Sequence, residues 1–191
     1  MIMPKNELQK LWESESLDLE NLSYNDRVEK LQVIFAETLG DDADINDNGN
    51  SVVYPKATRY NHYFSDGLYV REMFCEKDYL CFTVIHNTAN PLFLMKGKVA
   101  FSSDDGVEEL TAPTFILTKP GTKRICYWLE DSVIVTVHPN PDGLTDLKEV
   151  EKKMFACNWE QYDDSLKQDV WEMFEHKEYQ KKIENKQNNK L

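Results

Sequence analysis

Between Val52 and Pro139 this 191-residue chain is written almost entirely in short runs rich in Val, Ile, Phe, Tyr and Thr: 52–54, 68–75, 79–86, 91–95, 98–102, 107–110, 114–118, 124–129 and 132–138. Such side chains fit a pleated, half-buried surface. Turn signals separate the runs, among them Ser65-Asp66-Gly67, Asp104-Asp105-Gly106 and Pro120-Gly121. Many short strands at near-regular spacing predict an antiparallel sandwich or barrel, and a double-stranded jelly roll uses about this many.

On both sides the pattern becomes helical. Val28, Leu31, Ile34, Phe35 and Leu39 recur at helical spacing after the capping residues Ser23, Asn25 and Asp26 and before Gly40, which predicts a helix over 24–39. Residues 7–22 add a weaker helical piece. Asp41 to Asn50 reads as an acidic loop whose D-x-N-x-N-G core imitates a calcium loop, but its twelfth position is Pro55 where a bidentate glutamate is needed. From Asp142 onward, Leu144, Leu147, Val150, Met154 and Phe155, then Leu166, Val170, Met173 and Phe174, restore helical periodicity, and residues 181–191 form a polar tail. The chain therefore divides into a helical extension with linker (1–50), a β-barrel (51–140) and a second helical extension (141–191). Trp12, Trp159 and Trp171 read as anchors for the flanking helices.

The formal charge of −12 argues against direct binding to nucleic acid, whose affinity comes from clustered Lys and Arg. Met1 to Lys10 lacks the apolar core of a leader and no stretch has the length and apolarity of a membrane span, so the expected location is cytoplasmic with no membrane partner. Cys75, Cys81, Cys126 and Cys157 contain no C-x-x-C pair, and three fall in or beside apolar runs, as small buried hydrophobes do in a reducing compartment.

One stretch carries a sharper signal: Val84-Ile85-His86-Asn87-Thr88-Ala89-Asn90, followed by Gly97, and then Lys119-Pro120-Gly121-Thr122-Lys123-Arg124 with Trp128. Its intervals resemble the two metal-binding blocks of the cupin superfamily, which implies a cupin-type double-stranded β-helix. In that resemblance His86 takes the second histidine position, Val84 the first, Asn90 the glutamate position, Arg124 the last histidine and Trp128 the asparagine. One metal ligand of four survives. Ala112-Pro113-Thr114-Phe115, Glu130-Asp131-Ser132, Thr136-Val137-His138-Pro139 and the run Thr145 to Glu151 further resemble small cupin-like proteins of bacteriophages and prophages. The resemblance also implies a homodimer.

A transition metal needs about three or four N, O or S ligands, which a valine, an asparagine and an arginine do not supply, so no metal and no cofactor is assigned. Strand alternation places Arg124, Cys126 and Trp128 on one face, Ile134, Thr136 and His138 on another, and Tyr69, Arg71 and Met73 on a third. It also groups His86 with Leu80, Phe82 and Val84 and turns Cys81, Thr83 and Ile85 outward. If these faces turn inward, His86, Asn90, Arg124, Trp128 and His138 converge near one mouth, joined by Arg71 and Tyr69. Arg124 with Lys123 suits an anion, and Trp128 or Tyr69 a flat ligand face. Structural roles stand beside these: Arg124 paired with Glu72, Glu130 or Asp131, and His86 and His138 as hydrogen-bonded core histidines.

Three functions follow. The first is metal-free capture of an anionic, nucleotide-like small molecule, in the setting of a phage protein acting on a host nucleotide signal. The second is a metal-independent sugar-nucleotide epimerase or isomerase with His86 or His138 as base and Tyr69 or Tyr127 as acid. The third is docking on a host protein, with the barrel as scaffold.

Overall fold

The computed structural model describes Leu19 and residues 21–39, 44–45, 52–53, 58–103, 105–156, 159 and 162. Helical expectations for 7–22 and 166–174, the polar tail, the anchors Trp12 and Trp171, and Cys157 lie outside the described residues, apart from Leu19, 21 and 22. The elements in chain order are α1 (Tyr24–Leu39), β1 (Asp44–Ile45), β2 (Val52–Val53), β3 (Thr58–Ser65), β4 (Gly67–Cys75), β5 (Leu80–Phe82), β6 (Ile85–His86), β7 (Asn90–Lys96), β8 (Lys98–Ser103), β9 (Gly106–Thr111), β10 (Thr114–Thr118), β11 (Ile125–Trp128), β12 (Ser132–Asn140), α2 (Leu147–Met154) and β13 (Phe155–Ala156).

The pairing is nested. β8 pairs β9, β7 pairs β10, β5 pairs β11 and β4 pairs β12, all antiparallel, as in one long hairpin closed at Asp105. That hairpin coils on itself, so β12 also meets β7 and β11 also meets β8. The result is two antiparallel sheets, ordered β1-β2-β5-β11-β8-β9 and β10-β7-β12-β4-β3. This is the double-stranded β-helix that the sequence predicts, closed enough that each sheet's inner face is buried by the other.

The central strand of the second sheet shows the burial period of two. Along β12, Ser132, Ile134, Thr136 and His138 are buried while Val133, Val135 and Val137 are half-buried. Inner-face residues Cys75, Cys81, Leu94, Val99, Trp128 and Ile134 form one core cluster. The outer face of the first sheet makes a second one: Leu80, Phe82, Ala100, Ile125 and Tyr127 lie under Leu19, Val28 and Leu31. Helix α1 thus forms because its apolar stripe has a sheet to cover, each such side chain contributing about 1.5–3 kcal/mol on burial. The Tyr24 hydroxyl fixes its start by donating to the Lys123 carbonyl at 2.7 Å. No helix among the described residues is long and apolar enough to cross a membrane.

Three features differ from the sequence reading. Thr58–Ser65 is a full strand pairing β4 from Thr58↔Cys75 to Ser65↔Leu68; its Arg, Asn and His content hid it. Asp44–Ile45, inside the acidic loop, pairs Val52–Val53. The run 79–86 is broken at Thr83–Val84 into β5 and β6. That break inverts the expected alternation: Cys81, with Thr83, faces the barrel interior, while Leu80 and Phe82 join the cluster beneath α1. Cys81 and His86 are an odd number of residues apart, so only an irregularity lets both point inward.

Helix α2 begins at Asp146, whose carboxylate accepts from the Lys148 and Glu149 amides at 3.0 and 3.1 Å. Val150 and Met154 bury its inner face against Tyr69. Replacing Asp146 with alanine leaves these amides to water and is expected to cost about 1 kcal/mol, read as a lower urea midpoint with unchanged slope.

Candidate functional site

Helix α2 delivers Phe155 to β13, and Phe155↔His86 is a backbone pair of that short ladder. The Phe155 ring stands edge-on to two imidazoles, His86 at 5.3 Å and 89° and His138 at 5.8 Å and 88°. These imidazoles are parallel, 5.9 Å apart with a 1° interplanar angle. The stack continues outward through Tyr69 on β4 (5.7 Å from His138) to His62 on β3 (6.0 Å) and then Tyr60 (6.2 Å). Five rings therefore form a column across four strands. Cross-strand register builds it, because Tyr69 lies opposite His138 and His62 opposite Arg71.

Hydrogen bonds set the column's orientation. His86 Nδ1 donates to the Thr122 carbonyl at 3.3 Å, which leaves Nε2 as the lone-pair nitrogen. His138 Nε2 is 3.0 Å from Thr136 Oγ1, and its Nδ1 is buried without a partner among the described residues. Tyr69 and His62 Nδ1 share a hydrogen bond of 2.7 Å. Burial, reinforced by the Arg71 guanidinium, lowers the His86 pKa to about 3 and the His138 pKa to about 2. Both rings are neutral at pH 7. His62 moves the same way for the same two reasons, opposed by Glu151 on α2.

Arg71 lies between the column and the interior, its Cζ 5.2 Å from the Phe155 ring and 5.8 Å from that of Tyr60. Its Nε is buried with no hydrogen-bond partner, and no carboxylate among the described residues pairs with it. Beside it is a cavity of about 90 Å³ between the sheets. Arg71, His86, Thr83 and Thr136 supply its polar wall, and Met73, Leu92, Trp128 and Ile134 are prominent in the apolar remainder. No acidic side chain lines it.

The structure thus brings Tyr69, Arg71, His86 and His138 into one assembly, with Trp128 on the wall of the adjoining cavity. It places the other candidates apart. Arg124 is not on that wall: its Nη1 donates to Thr118 Oγ1 at 3.3 Å, its Cζ lies 5.5 Å over Phe101, and it lines a separate open groove with Tyr24, Glu108 and Lys119. None of Glu72, Glu130 and Asp131 pairs with it; Glu72 instead accepts from Asn61 and Tyr63. Lys123 turns away, its ammonium 5.8 Å over the Trp159 ring. Asn90 is fully buried opposite Thr118, and neither amide atom has a hydrogen-bond partner among the described residues. The expected convergence at one mouth is corrected accordingly: the loop through Thr122 and Lys123 precedes β11, and Arg124 leaves it beside β8 and β10, off the cavity wall though near enough for its charge to act on His86.

Tyr60 and His62 belong to the column and Phe155 stands edge-on to it, and none of the three was read as a site residue from the sequence. The signal for the first two was the turn Ser65-Asp66-Gly67, which implies a hairpin partner upstream of 68–75. The positions that the cupin resemblance gives to metal ligands, Val84, His86, Asn90 and Arg124, do not form a ligand set: Val84 has no donor atom and Arg124 brings a cation. Among the described residues no three His, Cys, Asp or Glu side chains are placed to hold a metal ion.

No protein-family model matches this chain, and no curated protein matches it in sequence. Solved structures similar to part of it include a cupin-2 domain containing protein from Shewanella frigidimarina, 13% identical over 42% of this chain and 80% of that one, with a TM-score of 0.36. A cupin superfamily protein from Desulfitobacterium hafniense is 7% identical over 44% of this chain and 78% of that one, TM-score 0.39. An acetylacetone dioxygenase from Acinetobacter johnsonii is 13% identical over 56% and 78%, TM-score 0.39.

Proposed function

We propose that the barrel is a binding cup for a small organic anion that also carries a hydroxyl or N–H group. The observation that carries this reading is Arg71, a guanidinium with a buried, unpartnered Nε beside a cavity lined by no carboxylate. The half-buried guanidinium keeps an uncommitted donor at this wall, and an anionic ligand is the pair that would use it. His86 adds selectivity. With Nδ1 committed to Thr122, its neutral ring offers an acceptor, which rewards a donor on the ligand and repels a second anionic oxygen. Met73, Leu92, Trp128 and Ile134 suit a compact apolar body.

Size and proton affinity weigh against two other readings. A cavity of about 90 Å³ is well below the roughly 300 Å³ at which drug-sized ligand pockets begin, which disfavours a nucleotide. A general base works best with a pKa near the operating pH, and imidazoles held near 3 and 2 have little affinity for a substrate proton.

Calorimetry with a panel of small hydroxy acids, matched acids lacking the hydroxyl, and nucleoside monophosphates tests the reading. The hydroxy acids are expected to bind tightest, and Arg71→Met is expected to weaken them by about 100-fold, in line with about 2–5 kcal/mol for a desolvated charge pair. Tightest binding of the nucleotides, or equal binding by wild type and Arg71→Met, would reject it.

A further inference from the structure

The lining of the same cavity includes two cysteines on neighbouring strands. Cys81 on β5 and Cys126 on β11 are direct cross-strand partners, both line the cavity, and both are free. On either side of them the backbone is hydrogen-bonded, Thr83 N to Arg124 O at 2.8 Å and Trp128 N to Tyr79 O at 2.9 Å. Each of these pairs is two residues along the ladder, so the cysteines occupy a hydrogen-bonded position, where Cα atoms are about 5.5 Å apart. A disulfide accepts Cα separations of roughly 4.4–6.8 Å, and its Cβ separation of about 3.8 Å asks the facing carbons, about 5.5 Å apart at such a position, to approach by roughly 1.5–2 Å.

We propose that Cys81 and Cys126 form a peroxide-responsive dithiol site, closing into a reversible cross-strand disulfide. The two thiols divide the chemistry unequally. The neighbouring thiols act on each other unequally, which raises the Cys81 pKa and lowers that of Cys126, and the Arg124 guanidinium lowers Cys126 further against the opposing effect of its burial. Cys126 is also the more exposed of the two. Cys126 thiolate attacks one oxygen of hydrogen peroxide, the O–O bond breaks, and the products are Cys126 sulfenic acid and hydroxide. The Cys81 sulfur then attacks the sulfenic sulfur and displaces its hydroxyl group, which leaves as water with the Cys81 proton. In total two thiols and one peroxide give one disulfide and two waters. The oxidant fits, since a cavity of about 90 Å³ exceeds the roughly 30 Å³ that one water occupies in the liquid. A packing role alone, the usual one for buried cysteine, does not call for two cysteines in direct register at a cavity wall.

The test treats the reduced full chain with one equivalent of hydrogen peroxide, alkylates the remaining thiols in denaturant, and maps the peptides without reduction. Two of the four cysteines are expected to escape alkylation, joined as one Cys81–Cys126 cross-linked peptide that dithiothreitol releases. Cys75→Ser is expected to keep the cross-link and Cys126→Ser to abolish it. Full alkylation of both residues, Cys126 trapped as sulfinic acid with Cys81 still free, or a cross-link through Cys75 or Cys157 would overturn the proposal. The wild-type map decides the matter alone if Cys126→Ser fails to fold.

Discussion

Gly97→Ala is expected to destabilise the protein by about 3–5 kcal/mol, the range reached only when a substitution has nowhere to relax. Gly97 joins β7 to β8 at φ +86°, and a Cβ added there would lie 2.5 Å from the Asp131 carbonyl oxygen and 2.9 Å from Ser132 Cα, and would overlap Ser132 Oγ. Two of these obstacles are backbone, and that backbone is held in turn. Lys98 O accepts from both Leu129 and Glu130 amides, and the Ser132 hydroxyl donates to Glu130 O at 2.7 Å. Relief would therefore require the β7–β8 turn to separate from the start of β12. Gly143→Ala is the control, because Gly143 also has positive φ, +62°, but nothing within 4 Å of the added carbon. It should show only the left-handed penalty of about 1–2 kcal/mol. At about 2–4 °C per kcal/mol for a chain of this length, the two variants should differ in Tm by roughly 5–10 °C. Equal Tm values would mean that the turn moves freely and that the spacing His86 to Gly97 carries no steric requirement.

That glycine shows what a sequence can reveal and where it stops. Alternation and turn residues expose a jelly roll because strands such as β12 bury every second residue, so the apolar period is enforced there residue by residue. Arg71, Tyr69, His86 and His138 were legible as partners because cross-strand neighbours follow from register once the fold is known. Arg124 was misplaced for a local reason: it sits just outside β11, and its direction is set by Thr118 and Phe101, which no spacing encodes. The irregularity at Thr83–Val84 was equally hidden, since the run 79–86 is continuously β-forming and only the Thr83 hydroxyl's acceptance of Arg124 N marks the break. Strand β3 was missed because its edge position exposes Tyr63 and Ser65 and fills it with polar residues, erasing the burial pattern that betrays a central strand.

Below pH 6.5 the protein is expected to lose stability steeply, by about 2.7 kcal/mol per pH unit over the pH 5.5–4 window. His86 and His138 carry this dependence. In the unfolded chain both titrate near 6.5, whereas burial first and the Arg71 guanidinium second hold them near 3 and 2 in the folded barrel. Folding thus favours the neutral rings, and the stability they permit at pH 7 is lost as acid protonates the unfolded chain but not the folded one. Each such histidine contributes a slope of about 1.4 kcal/mol per pH unit between its two pKa values. Over two units the pair approaches 5 kcal/mol, comparable with the whole stability of many domains. The acidic surface works the other way, since neutralising part of a net charge of −12 relieves repulsion, but that effect is spread over exposed groups and screened by salt. In urea titrations the midpoint should fall by about 1 M per pH unit, given slopes of roughly 2–3 kcal/mol/M. His138→Phe keeps a ring between Tyr69 and His86 but removes one titrating group, so its slope should be about half that of wild type. A midpoint that is flat from pH 6.5 to 5, or a His138→Phe slope equal to wild type, would show that the stacked imidazoles do not govern acid unfolding. The same measurement bears on Arg71: if its charge helps to hold the rings neutral, Arg71→Met should shift the acid transition to lower pH even where it costs packing at pH 7.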